Sequence, residues 1–140
     1  MKFAVTDNMD RVLKEAASAV KKYANPEIGT EHVLYGLVKV AECTAGRLLR
    51  ERGVDLSFAA ELFSESPHVM LMGEADYTGR VKAMIQTAFR LAQSLGKSAV
   101  GTEHFLYCML LDQGSLASAI LRDYYKINIP ELVDRLKSLL

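Results

Sequence analysis

Apolar residues recur at Met9, Val12, Leu13, Ala16 and Val20, and again at Val81, Met84, Ile85, Ala88, Ala92 and Leu95. This i, i+3, i+4, i+7 spacing places them on one face of a helix, so two long amphipathic helices are predicted. Thr6 and Thr78 stand just ahead of them as hydroxyl N-caps, and Gly96 is placed as a C-terminal stop. A second pair of helices should begin at Thr30 and Thr102, with Val33, Leu34, Leu37 and Val38 in one and Phe105, Leu106, Met109 and Leu110 in the other. So many apolar positions predict helices that are nearly all buried. Short third helices are expected over 45–51 and 116–124, and fourth helices after Asp55 and Asn128, with Pro130 in a first turn where its missing N–H costs nothing. No stretch alternates with period two between hairpin turns, so no strands are expected. The predicted class is all-α, with eight helices.

The pairing of these elements reflects an internal repeat. Gly29-Thr30-Glu31-His32 returns as Gly101-Thr102-Glu103-His104, a shift of 72 that also superposes Leu34 on Leu106, Tyr35 on Tyr107, Ala45 on Ala117, Leu49 on Leu121 and Arg50 on Arg122. Beyond that point one inserted residue is needed before Val54 and Leu56 meet Ile127 and Ile129. The expected organisation is one domain over 1–140, with repeat one at 1–63, a linker at 64–76 and repeat two at 77–140. The apolar faces are too wide to be covered locally, so the two four-helix copies should pack about a pseudo-twofold axis. The linker carries Pro67, Gly73 and the apolar run Val69-Met70-Leu71-Met72, expected to strap it onto the helices.

Composition narrows the function. The 140 residues are 50% hydrophobic and 24% charged, ordinary for a soluble globular domain large enough to bury a real core. Seventeen basic and 17 acidic residues cancel, so the broad basic field that holds nucleic acid or anionic lipid is missing. No apolar run approaches the roughly 20 residues that span a bilayer, and no basic segment followed by an apolar signal core opens the chain. A cytoplasmic protein with no nucleic-acid or membrane partner is expected. Cys43 and Cys108 have no CxxC spacing and read as reduced thiols.

Catalytic and cofactor chemistry finds little support. Gly96-Lys97-Ser98 ends like a phosphate-binding loop, but position 91 is Leu91 where that motif needs glycine, and a helix precedes it rather than a strand. His32, His68 and His104 lack the spacing of convergent metal ligands, so no metal and no cofactor are expected, and His32 and His104 read as hydrogen-bonded packing residues. Cys43 precedes a helix N-terminus, but no base is placed beside it, so it reads as a small, partly buried thiol. What remains is the doubled Gly-Thr-Glu-His. In it Thr30 and Thr102 are expected to cap their own helices, while Glu31 and Glu103 complement the helix dipole as exposed carboxylates at equivalent ends of the two repeats. A carboxylate is the natural bidentate partner of a guanidinium.

The chain resembles the Clp N-terminal domain, the double Clp repeat at the front of Clp-type unfoldases, and most of all its ClpC branch. The resemblance rests on Gly-Thr-Glu-His-Val-Leu-Tyr-Gly-Leu at 29–37, Gly-Thr-Glu-His-Phe-Leu at 101–106, Phe3 and Thr6 with Val12-Leu13, and Tyr77-Thr78 with Arg80. It implies an eight-helix pseudo-twofold module without catalytic activity, tethered to ATPase rings, that recruits adaptor proteins and substrates for unfolding and proteolysis. It further implies ligand-binding roles for Glu31, Glu103, Thr30 and Thr102, with the two glutamates recognising phosphoarginine. The family's acidic, glycine-rich turn before the third helix is replaced here by Val40-Ala41-Glu42-Cys43-Thr44 and by Leu111-Asp112-Gln113-Gly114-Ser115. Two alternatives stand beside recruitment: a free-standing Clp-repeat regulator that competes for Clp partners, and a small helical hydrolase using Cys43 or His104.

Overall fold

The computed structural model describes residues 4–64 and 75–140, so Phe3, His68 and the apolar linker run at 69–72 lie outside the described residues. Repeat one contributes α1 (Asp7–Lys22), α2 (Thr30–Lys39), α3 (Thr44–Glu51) and α4 (Ala59–Ser64). Repeat two contributes α5 (Gly79–Ser94), α6 (Thr102–Leu111), α7 (Leu116–Ala119) and α8 (Ile129–Lys137), with α7 running on into a π turn at Ile120–Tyr124. The all-α prediction holds, and both long helices begin as expected. Thr6 Oγ1 accepts from Met9 N and Thr78 Oγ1 from Val81 N, each at 3.2 Å.

The periodic positions are the buried ones. Met9, Val12, Ala16 and Val20 of α1 and Val81, Met84, Ala88 and Ala92 of α5 enter one continuous core together with the inner residues of α2 and α6. Helix α2 lies against α1 and α6 against α5 within each repeat, while α2 meets α7 and α6 meets α3 across them.

The twofold relation appears in reciprocal backbone pairings. Val5 forms an isolated parallel bridge with Val100, and Tyr77 forms one with Ile28. The shift of 72 carries Val5 onto Tyr77 and Ile28 onto Val100, so each repeat's entry segment pairs with the other's approach to its second helix. Thr6 N donates to Val100 O at 2.9 Å and Thr78 N to Ile28 O at 3.0 Å. A bridge of this size makes no sheet, consistent with the absence of period-two patterning.

Three details go beyond the periodicity. After α5, Gly96 adopts φ +74°, the left-handed stop that was expected, but its counterpart after α1 is Ala24 at φ 52°. The fourth helix of repeat one starts only at Ala59, after a turn whose Asp55 carboxylate accepts from Ser57 N. The inserted residue of repeat two is taken up inside the third helix. Val54 N closes onto Leu49 O in repeat one, whereas Ile127 N reaches Leu121 O one residue further on, and Tyr125 N bonds Ile120 O in the i→i−5 pattern. A single-residue insertion in a helix is accommodated by such a π turn.

Candidate functional site

The doubled Gly-Thr-Glu-His forms the first turn of α2 and of α6. Gly29 and Gly101, both extended, are the N-caps, so Thr30 and Thr102 are the first helical residues. This corrects the expected capping. From the first helical position a hydroxyl points away from its own turn, and each one caps the opposite repeat. Thr102 Oγ1 accepts from Ala45 N of α3 at 3.3 Å, and Thr30 Oγ1 accepts from Ala117 N of α7 at 3.2 Å. Both threonines are buried, as this role requires.

The histidines close the turns from within. Gly29 N donates to His32 Nδ1 at 2.9 Å and Gly101 N to His104 Nδ1 at 2.8 Å, a capping-box bond that leaves the ring proton on Nε2. In repeat one that proton is satisfied, since His32 Nε2 meets Asn25 Oδ1 at 2.8 Å and the Asn25 amide donates to Phe63 O at 2.9 Å. The His32 ring also stacks on Phe63 at 4.6 Å. Burial holds His32 neutral, with its pKa lowered to about 4. In repeat two the position of Asn25 is taken by Lys97, and His104 Nε2 is buried without a hydrogen-bond partner among the described residues. His104 is also pushed down, first by burial, with the Lys97 charge adding to it and Glu103 opposing.

The two glutamates are not the open carboxylates expected from a first-turn position. Their side chains are 19% and 22% exposed, because each folds back over its N-cap glycine. A Cβ on Gly29 would lie 2.1 Å from Glu31 Oε1, and one on Gly101 would lie 1.9 Å from Glu103 Oε1. Burial raises the pKa of Glu31, opposed by its own backbone N–H. The neighbouring rings, at 3.9 and 3.5 Å, supply no ion pair while they accept through Nδ1. Neither carboxylate has a lysine or arginine partner among the described residues.

The cysteines are closed off. Cys43 Sγ is fully buried, accepting from Gly46 N at 3.2 Å and donating to Leu37 O at 3.4 Å. The Cys108 thiol is pushed up to about 11 by burial, and both cysteines are free. No group of three or more His, Cys, Asp or Glu residues could hold a metal among the described residues, and none of their helices is long and apolar enough to cross a membrane.

Three cavities are lined by other residues. One of about 830 Å³ lies along α1 at Asp10, Leu13, Lys14 and Ser18, facing Tyr77. A second, about 500 Å³ and largely apolar, lies between the end of α6 and α8 at Leu110, Leu111, Ile127, Ile129 and Val133. A third, about 220 Å³, lies between α3 and α8. No sequence motif marked these, since each joins segments that are distant in the chain, and Asn25 was missed because it meets His32 from the loop between α1 and α2.

Comparison with known proteins bears on the whole chain. The family model for the Clp repeat (R) N-terminal domain matches residues 4–124 and 76–140. A probable ATP-dependent Clp protease ATP-binding subunit of Chlamydia pneumoniae is 32% identical over 124 residues, which is 86% of this chain but 15% of that protein. The chain thus spans only a small part of the length of such relatives. Among solved structures, the Hsp104 N-terminal domain from Candida albicans aligns with a TM-score of 0.79 at 16% identity, covering 97% of this chain and 91% of that one. A ClpV N-domain in complex with a VipB peptide aligns with a TM-score of 0.71 at 16% identity, covering 94% and 83%. The repeat seen in the sequence, the eight-helix fold and the family match agree: the chain belongs to the Clp repeat N-terminal domain family.

Proposed function

We propose that this domain recruits adaptor proteins and protein substrates to the ATPase rings of a ClpC-type unfoldase in the cytoplasm, without chemistry of its own, and that Glu31 and Glu103 recognise phosphoarginine. The observation that carries this reading is the pair of equivalent carboxylates, each partly buried over its helix cap and each without a cationic partner. A guanidinium would supply the missing charge, and burial strengthens such a pair relative to one in water. Thr30 and Thr102 act on the same site by fixing the turn that carries each glutamate. A recruitment role also suits a fold whose buried thiols are engaged or held protonated. The ClpV N-domain solved with a VipB peptide supports polypeptide binding by this architecture.

The test is calorimetric titration of a phosphoarginine peptide into the wild type and into E31A/E103A, with arginine and phosphoserine peptides as controls. Each lost charge-assisted pair should cost about 1.5–3 kcal/mol of binding. Absence of binding by folded wild type, or undiminished binding by the double variant, rejects the phosphoarginine assignment.

A further inference from the structure

The cavity between α3 and α8 is lined by Thr44, Arg47, Leu48 and Glu51 on one side and by Arg135 and Leu139 on the other. We propose that this groove docks an acidic segment of a partner polypeptide, with Arg47 and Arg135 receiving its carboxylates.

Two guanidiniums from different repeats converge on one groove, and neither is bonded to a carboxylate among the described residues. Arg11, Arg52, Arg80 and Arg122 are each bonded to a carboxylate, and Arg50 to the Val38 and Ala41 carbonyls. Arg135 hydrogen-bonds only the Ser138 hydroxyl, at 3.2 Å, with its charge also felt by Glu131 one turn away, and Arg47 has no hydrogen-bond or ion-pair partner among the described residues. The single carboxylate of the groove, Glu51, is 68% exposed, and its nearest cation is Arg52 at 4.0 Å. Arg52 is itself committed to Glu131 at 2.7 Å. The lining therefore keeps a net positive charge that favours an anion.

The repeat shows that the architecture does not require these arginines. A shift of 72 carries Thr44 onto Leu116, Arg47 onto Ala119 and Leu48 onto Ile120, and the shift of 73 that follows the insertion carries Leu62 onto Arg135. The counterparts of both arginines are thus uncharged, aliphatic side chains. Leu48, buried, and Leu139, 39% exposed, add an apolar floor and edge beside the charges. Such a lining fits a segment in which acidic and apolar side chains alternate, the carboxylates taken by guanidinium forks.

The inference rests on the recruitment reading for the nature of its partner, but it uses other residues and the opposite charge. The probe is a fluorescein-labelled Asp-Leu-Glu-Asp-Leu-Glu peptide, followed by anisotropy and by amide shift mapping. Binding should move the amides of 44–51 and 135–139, weaken with rising ionic strength, and fall about tenfold or more in R47A/R135A. Both side chains are on the surface, so the variant should keep the wild-type circular dichroism. E31A/E103A should bind the peptide as wild type does, which separates failure here from failure of the phosphoarginine assignment. Equal binding of the Asn/Gln version, undiminished binding by R47A/R135A, or shifts confined to other residues would overturn the proposal. So would inorganic phosphate producing the same shifts and displacing the peptide, which would reassign the groove to phosphoryl groups.

Discussion

Acid should destabilise this protein through His32 before its carboxylates matter. The imidazole accepts from Gly29 N, donates to Asn25 and stacks on Phe63, all in a buried setting that holds its pKa at about 4. The unfolded chain protonates the same ring near 6.5, so between these values the unfolded state binds the extra proton and stability falls as the pH falls. The linkage amounts to about 2 kcal/mol at pH ~5 and about 3 kcal/mol at pH ~4. His104, also lowered by burial, acts in the same direction. Glu31 acts in the opposite one, since its raised pKa gives stability that is present in acid and lost as the pH rises. Urea denaturation of wild type and H32Q at neutral pH and near pH 5 isolates the histidine term, because glutamine at the third helical position keeps a bond to the cap. The wild type should lose stability over that interval and H32Q markedly less. Native imidazole shifts titrating near 6.5, or an unchanged loss in H32Q, would refute the reasoning.

Two further outcomes follow from the repeat. T30V and T102V each remove the acceptor of a buried amide in the opposite repeat and should each cost about 1 kcal/mol, additively, whereas T87V on the outer face of α5 should cost little; equal urea midpoints for all three would contradict the cross-capping. A24G relieves a left-handed alanine and should raise the melting temperature by about 2–4 °C, while G96A, whose new methyl group meets open space, should lower it by a similar amount; shifts of the same sign would exclude a backbone origin.

Helix positions and the twofold pairing were legible because both depend on local spacing and on a motif present twice. The cap of α2 was not, for a physical reason. A hydroxyl before an apolar run ordinarily caps that run, but Gly29 takes the extended cap conformation and leaves Thr30 to find a donor 87 residues away. The burial of Glu31 was hidden similarly. Periodicity assigns it to the polar side of α2, while the space above a side-chain-free cap, into which the carboxylate folds, is a matter of three-dimensional shape. The insertion was visible as one extra residue, but its absorption into a π turn depends on Leu121 staying fully buried while the chain beyond it lengthens.

Contacts that satisfy a backbone N–H where the repeats meet kept their symmetry, whereas side-chain pairs, the His32–Asn25 bond included, did not. The bridges at Val5 and Tyr77 and the threonine bonds to Ala45 and Ala117 each satisfy a backbone N–H where the repeats meet. An unpaired buried donor carries its full desolvation penalty, so these positions tolerate little exchange. Elsewhere the same joint is made twice with different chemistry. Arg52 of repeat one is bound to Glu131 of α8, and the counterparts of these residues, Tyr124 and Phe58, stack at 4.3 Å. The ion pair keeps its Glu131 end half exposed and the aromatic pair carries no charge, so the joint is made by two unlike chemistries of modest strength. Duplication therefore holds the fold through its amides while releasing the outer faces of α3 and α7 to diverge, and that release lets one of them carry an arginine where the other carries Ala119.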